Sequence, residues 1–189
     1  MTMSPLVRTP LSIEHALLGF LRPGPLHGYE ILRRLDDPAG LGLVWTLKQS
    51  HLYGLLARLE DEGYVASRRE PQESRPTRKV FELTRSGEAT YWDWVQSPVA
   101  RGRELRLDFL AKLYFAQREG AAVVARLIEG QKAALEDWLA AQRGHLSEGR
   151  GPDFEWQVLQ FRAGQIEAML AWLDASTGQA APPQAPPPP

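Results

Sequence analysis

The chain has no cysteine in its 189 residues. That absence excludes a disulfide framework, thiolate metal sites and a cysteine nucleophile together. No apolar run reaches the roughly 18 residues a membrane-spanning helix needs, and the opening MTMSPLVRTPLS lacks an apolar core of signal-peptide length. The expectation is a soluble cytoplasmic protein with no membrane partner. Histidine is scarce: His15, His27, His51 and His145 are the whole set, and none stands at metal-ligand spacing. Gly-x-Ser-x-Gly and glycine-rich phosphate loops are missing too. The reading is therefore not an enzyme, with no catalytic residue, no metal and no cofactor. Nor is there an excess of charge of one sign, since 22 basic and 23 acidic residues leave a net −1. A nucleic-acid partner would have to be read from local clusters.

What is present suits an ordinary globular chain, with 43% hydrophobic and 24% charged residues. Helical spacing starts at Ser12, which can cap free amides, and puts Ala16, Leu17, Phe20 and Leu21 on one face. Pro23, Gly24 and Pro25 stop it. A short second helix is expected over His27 to Leu35, with Tyr29, Ile31, Leu32 and Leu35 available for packing, then a Pro/Gly loop at 36–42. A third helix should run from near Gln49 to Gly63, with Leu52, Leu55, Leu56 and Leu59 on its apolar face. Two strand-like runs, Tyr64 to Arg69 and Arg78 to Leu83, flank EPQESRPT and predict a hairpin. Thr84 is placed to cap the next helix.

Three helices and a hairpin is the order of a winged helix-turn-helix. Such a module puts the first turns of its last helix into the DNA major groove. That accounts for the polar residues gathered at the start of the third helix. Gln49 can bond an adenine edge, Ser50 and His51 can bond bases or phosphate, and Tyr53 can offer its hydroxyl to phosphate. Residues 65–85 hold six basic residues against three acidic ones. Residues 1–86 carry twelve basic and ten acidic residues, a net +2, and residues 87–189 carry ten and thirteen, a net −3. The basic excess lies on the hairpin, where a wing would follow the phosphate backbone. Solvation of a sheet edge by Lys and Arg is the alternative source of such a cluster.

Three segments carry a resemblance. GPLHGYEILRRL (24–35), SHLYGLLARLEDEGYV (50–65) and RPTRKVFELTRSG (75–87) resemble, in that order, the motifs of the PadR family of transcriptional regulators. LRLDFLAKLYFA (105–116) is similar to the start of the helical C-terminal domain in the longer subfamily. The chain departs from the family pattern at Phe81, where Tyr is common, and at Gly54, where Pro is common. The glycine-rich wing tip is here PQES. The resemblance implies a homodimeric DNA-binding repressor, with Arg75, Arg78 and Lys79 on the wing against phosphate.

From residue 99 onward the chain reads as all helix. Elements are expected over Leu105 to Gln117, Ala121 to Gln142 and Phe154 to Ala175, with a reversal at 144–152 that makes the last two antiparallel. The Ala121–Gln142 element carries Val124, Leu127, Ile128, Leu135, Trp138 and Leu139 on one stripe. The last element has two apolar rows, Phe154, Val158 and Phe161 on one, and Leu159, Ile166, Met169, Leu170 and Leu173 on the other. Two helices cannot hide this much aromatic surface on each other, so a partner surface is expected. The resemblance implies a homodimer through these helices, with Trp138, Phe154, Val158, Phe161 and Trp172 at its interface; a monomer whose stripes face the wing domain is the alternative. Trp92 and Trp94, near the junction of the halves, are candidates for stacking on a small aromatic effector, with core packing as the alternative. The last eleven residues hold six of the fifteen prolines and read as a disordered tail.

The fold class is thus mainly α with a small β-hairpin wing. The expected domains are a winged helix-turn-helix at 1–86, an antiparallel helical dimerisation and effector domain at 87–178, and the tail at 179–189. The expected partners are double-stranded DNA, a second copy and an aromatic effector. The rival reading is a winged helix used for protein binding without operator specificity.

Overall fold

The computed structural model describes residues 12–72, 75–148 and 153–177. The proline-rich segment at 179–189 lies outside them. The chain divides into two compact units between Trp94 and Val95.

The first unit runs α1 (Ser12–Leu21), β1 (Leu26–His27), α2 (Gly28–Leu35), a 3-10 turn (Leu41–Leu43), α3 (Gln49–Asp61), β2 (Val65–Gln72) and β3 (Arg75–Leu83), and ends within α4 (Arg85–Gln96). Its core is the sum of the apolar faces that helical spacing indicates. Ala16, Leu17, Phe20 and Leu21 of α1 are buried, as are Ile31 and Leu35 of α2. Leu52, Leu55, Leu56 and Leu59 of α3 are fully buried. Each buried leucine contributes about 1.5–3 kcal/mol through the water it sheds. Tyr29 does not join them: it is 65% exposed, because Ile31 and Leu35 already fill the inward face of a helix only two turns long.

The hairpin is longer than its sequence pattern suggested, and a third strand closes it. The sheet order is β1-β3-β2, all antiparallel, with Leu26 opposite Phe81 and His27 opposite Val80. Two residues show no periodicity, so β1 is invisible in the sequence. Across the wing Ser67 faces Phe81, Arg69 faces Lys79 and Glu70 faces Arg78, with an irregularity between Glu70 and Gln72. Three helices with this sheet form a winged helix-turn-helix.

Two residues fix the junctions at either end of the wing. Gly63 ends α3 with a left-handed φ of 79°. Thr84 Oγ1 donates to the Gly63 carbonyl at 2.7 Å and accepts from the Gly87 amide at 3.0 Å, capping α4 as expected. Gly87 packs so closely that a Cβ there would lie 2.1 Å from the Tyr64 carbonyl oxygen, which explains the glycine of the Leu-Thr-x-x-Gly segment.

The second unit is helical. A 3-10 turn (Gly102–Glu104) and a π-helical turn (Leu105–Phe109) lead into α5 (Leu110–Glu119), followed by α6 (Ala121–Glu148) and α7 (Phe154–Thr177). The single helix expected over Leu105 to Gln117 is thus a wide π turn followed by α5. The helix α6 also continues through Gly144 to Glu148, since an isolated Gly weakens a helix by about 1 kcal/mol without having to end it. α6 and α7 are antiparallel, as ion pairs from Lys132 to Asp174 and from Arg143 to Glu167 show. Leu127, Ile128, Leu135 and Leu139 of α6 are buried, with Ala163, Ile166 and Leu173 of α7. Three polar side chains, Gln131, Lys112 and Asp108, enter this interior. Gln131 accepts from the Val99 amide at 2.8 Å, and Lys112 donates to the Ser97 carbonyl at 2.9 Å. Burial pushes the Lys112 ammonium below its usual range, and Asp108 at 3.6 Å partly opposes that.

Candidate nucleic-acid interface

The helix α3 separates its two kinds of residue by face. Its leucines at 52, 55, 56 and 59 point inward, while Gln49, Ser50, His51 and Tyr53 are exposed. Lys48, exposed at the N-cap position just before them, belongs to this surface although no sequence motif singles it out. Its backbone carbonyl accepts from the His51 and Leu52 amides, so the helix starts where the polar cluster starts. Unpaired amides and the positive end of the helix dipole at that point favour an anion.

Tyr53 has a structural task as well. A Cβ built on Gly28 would stand 2.6 Å from the Tyr53 ring and 2.9 Å from its hydroxyl. The first residue of α2 must therefore be glycine for the ring to lie where it does. That accounts for the Gly in the His-Gly-Tyr-Glu segment. The ring is 39% exposed and stays reachable from solvent. Beside it His27 donates its backbone N–H to the Glu30 carboxylate at 2.8 Å, a helix-start contact.

The wing cations divide into tied and free. Lys79 Nζ donates to Glu60 of α3 at 2.5 Å, and Ser67 Oγ donates to the other oxygen of the same carboxylate. These bonds, from Lys79 first and Ser67 second, hold the Glu60 carboxyl below its usual range. Lys79 therefore braces the wing against α3 as well as standing on its surface. Arg68 is tied in the same manner, to Glu70 at 2.8 Å and Glu82 at 3.5 Å. Arg69 and Arg78 are exposed, and neither has an ion-pair partner among the described residues. Arg69 is the second residue of the surface that no sequence motif marks. Only the strand register, which pairs it with Lys79 while Glu60 takes the lysine, makes it stand out. Arg75 opens β3 opposite Gln72; its side chain lies outside the described residues.

The two tryptophans expected near the junction differ. Trp94 is 7% exposed and stacks on His15 at 5.3 Å with the planes 6° apart, so in this conformation it is a packing residue. Trp92 is half-buried, with the Arg22 guanidinium 5.2 Å over its ring and Tyr91 against its edge. Neither offers two open faces to a ligand.

In the second unit, Phe154 is 79% exposed, Phe161 66% and Trp172 44%, and Val158 is half-buried. They share one outward row of α7, while Ile166 and Leu173 of the other row face inward. Trp138 is half-buried on α6 and does not belong to that outward row.

Residues 17–92 match the sequence model of the transcriptional regulator PadR-like family. Over that span the chain is similar to this family. The matched span begins within α1, ends within α4 and includes the α3 and wing residues described above. A negative transcriptional regulator, PadR of Bacillus subtilis, is 26% identical over 173 residues, covering 86% of this chain and 94% of the relative. The crystal structure of that PadR with operator DNA is 25% identical, is covered to 100%, covers 90% of this chain and has a TM-score of 0.46. The structure of the same protein with p-coumaric acid is 24% identical over 90% and 99% of the two chains, with a TM-score of 0.41. Among the described residues no helix is long and apolar enough to cross a membrane.

Proposed function

We propose that this PadR-like chain is a cytoplasmic, non-enzymatic repressor that binds a two-fold operator as a homodimer and is released by a small aromatic effector. The observation that carries the reading is the split of α3. Four fully buried leucines fix the helix, and Lys48, Gln49, Ser50 and His51 stand free at its exposed start. Gln49, Ser50 and His51 read base edges, and Tyr53 with Arg69, Arg75 and Arg78 holds phosphate. The match of residues 17–92 to the PadR-like family model and the negative regulatory role of the Bacillus subtilis relative support this reading. That relative's complexes with operator DNA and with p-coumaric acid support the two ligand classes.

Residues 1–86 supply the DNA-binding part and residues 87–178 the dimerisation and effector part of this proposal. Phe154, Val158 and Phe161 form the shared surface, because an uncovered apolar row on a long helix costs solvation that a second copy removes; Trp172, on the same row, packs edge-on against Phe109 instead. The test is selection of bound duplexes from a random pool, followed by the Gln49→Ala variant on the selected operator. Loss of one bidentate contact should cost about 1–3 kcal/mol at a single base pair of each half-site and leave the others unchanged. Unaltered sequence preference with Gln49, Ser50 and His51 all replaced by Ala would remove α3 from the readout.

A further inference from the structure

The second unit contains a cavity of about 940 Å³ that the DNA-binding reading does not use. Its walls come from the irregular segment before α5 and from facing stretches of α6 and α7. Four arginines are among its lining residues, Arg101, Arg103 and Arg106 on the first wall and Arg162 on α7, and no acidic residue is. This runs against the surroundings, since residues 87–189 carry ten basic and thirteen acidic residues. Of the other described cations in the unit, Lys132, Arg143 and Lys112 have acids beside them, Asp174, Glu167 and Asp108, while Arg118 and Arg126 donate to the Tyr114 carbonyl and the Gln96 amide oxygen. None of the four arginine side chains has an ion-pair partner among the described residues.

The remaining walls are flat and apolar. Trp138 and Trp172 line the cavity, with Phe109 edge-on to Trp172 at 6.2 Å. Gln142 also lines it, and its buried Oε1 accepts no hydrogen bond. Guanidinium planes pair with carboxylate, sulfonate or phosphate in bidentate fashion and stack on rings. A buried amide oxygen without a donor is a cost that a bound hydroxyl or amine would remove. Sites of this size enclose whole small molecules.

We propose that this cavity binds a flat aromatic ligand carrying two or more negative charges and a hydrogen-bond donor. One charge would leave most of the guanidiniums unmatched, and the volume exceeds the needs of a single ring. Aromatic surface goes against Trp138 and Trp172, the anionic groups meet Arg103 and Arg162 from opposite walls, and the donor reaches Gln142 Oε1. This deepens the effector part of the proposed function, and its test contains no DNA. Loss of operator binding would therefore leave it standing, and its own failure would leave operator binding standing.

The probe is pyranine, a hydroxylated pyrene trisulfonate, followed by its emission on titration into the full chain. Neutral hydroxypyrene and pyrene monosulfonate are the comparators. Pyranine should bind once per protomer and about tenfold or more tighter than hydroxypyrene, a gap that narrows with salt. Arg103→Ala and Arg162→Ala should each weaken pyranine about tenfold and leave hydroxypyrene unchanged. Arg103→Lys and Arg162→Lys should recover part of the loss. Arg143→Ala on α6, whose guanidinium is held by Glu167, should leave pyranine binding unchanged. Equal affinity for the neutral and charged pyrenes would overturn the proposal, and so would indifference to both cavity variants. Sedimentation closes the remaining route: if Arg103→Ala and Arg162→Ala dissociate the assembly, the guanidiniums serve a second copy and the ligand assignment falls.

Discussion

The division of wing cations into tied and free makes a quantitative claim about salt. In each protomer of the proposed dimer Arg69 and Arg78 have no ion-pair partner among the described residues, whereas Lys79 is held by Glu60 and Arg68 by Glu70 and Glu82. A cation already neutralised by a carboxylate releases little when it meets phosphate, because its field is spent on the acid. Each free guanidinium that neutralises a phosphate contributes about 0.9 to the slope of log affinity against log salt. With two per protomer and two protomers, replacing both by Ala should flatten the slope by about 3.6. Between roughly 50 and 200 mM salt the log concentration rises by ~0.6, so the variant should escape about a hundredfold of the affinity loss that the unmodified protein suffers. Its affinity at low salt should be correspondingly weaker, on operator and unrelated duplex alike. Fluorescence anisotropy of a labelled operator across that range reads both quantities. Lys79→Ala and Arg68→Ala should leave the slope nearly unchanged. If Lys79→Ala flattens the slope as much as Arg69→Ala or Arg78→Ala, the division of the wing is wrong and the Glu60 contact gives way on DNA.

Other consequences rest on single contacts. Gly28→Ala should displace the exposed Tyr53 ring at a cost within about 1 kcal/mol in urea melts, since the 2.6 Å contact is with the far end of a side chain that can swing into solvent; adding Tyr53→Ala should remove that cost, and a loss that persists would mean that the clash is elsewhere. The depressed Glu60 carboxyl gives a pH signature. Its folded value lies below the ordinary 4.5, so the stability it contributes is complete above that value and is lost as pH falls through the folded one. Melting temperatures from pH 7 down to about 3 should drop more steeply below ~4.5 for the unmodified chain than for Glu60→Gln, and parallel curves would contradict the assignment. Phe154→Asp with Phe161→Asp should convert the proposed dimer to monomers of 21.2 kDa in sedimentation at micromolar concentration, with circular dichroism unchanged; an intact dimer would move the interface off this row of α7.

Sequence and tertiary structure decided different parts of this protein. The spacing of Leu52, Leu55, Leu56 and Leu59 determined by itself that α3 exists and which face it hides, because a helix repeats on a fixed angle and apolar residues can only be buried together. The same local logic placed α1, the hairpin and the Thr84 cap, and the order of these elements pointed to the winged helix. Motif resemblance indicated glycines at 28 and 87, and the structure supplied the reason: the Tyr53 ring and the Tyr64 carbonyl occupy the space a Cβ would take. The strand β1 could not be read from two residues, since a strand that short is defined by its partner in β3. The π turn before α5 left no pattern either, because its apolar residues fit an α-helix equally well. Charge was the least legible property. Six basic residues between 65 and 85 look alike in sequence, yet the fold gives Lys79 and Arg68 to nearby acids and leaves Arg69 and Arg78 open. The four arginines of the second unit are likewise spread from 101 to 162 and become one cluster only when α7 folds back beside the segment that leads into α5. Apolar burial is written locally in the period of the chain. Which charge meets which depends on distances of a few ångströms between segments far apart in sequence, and those are set only by packing.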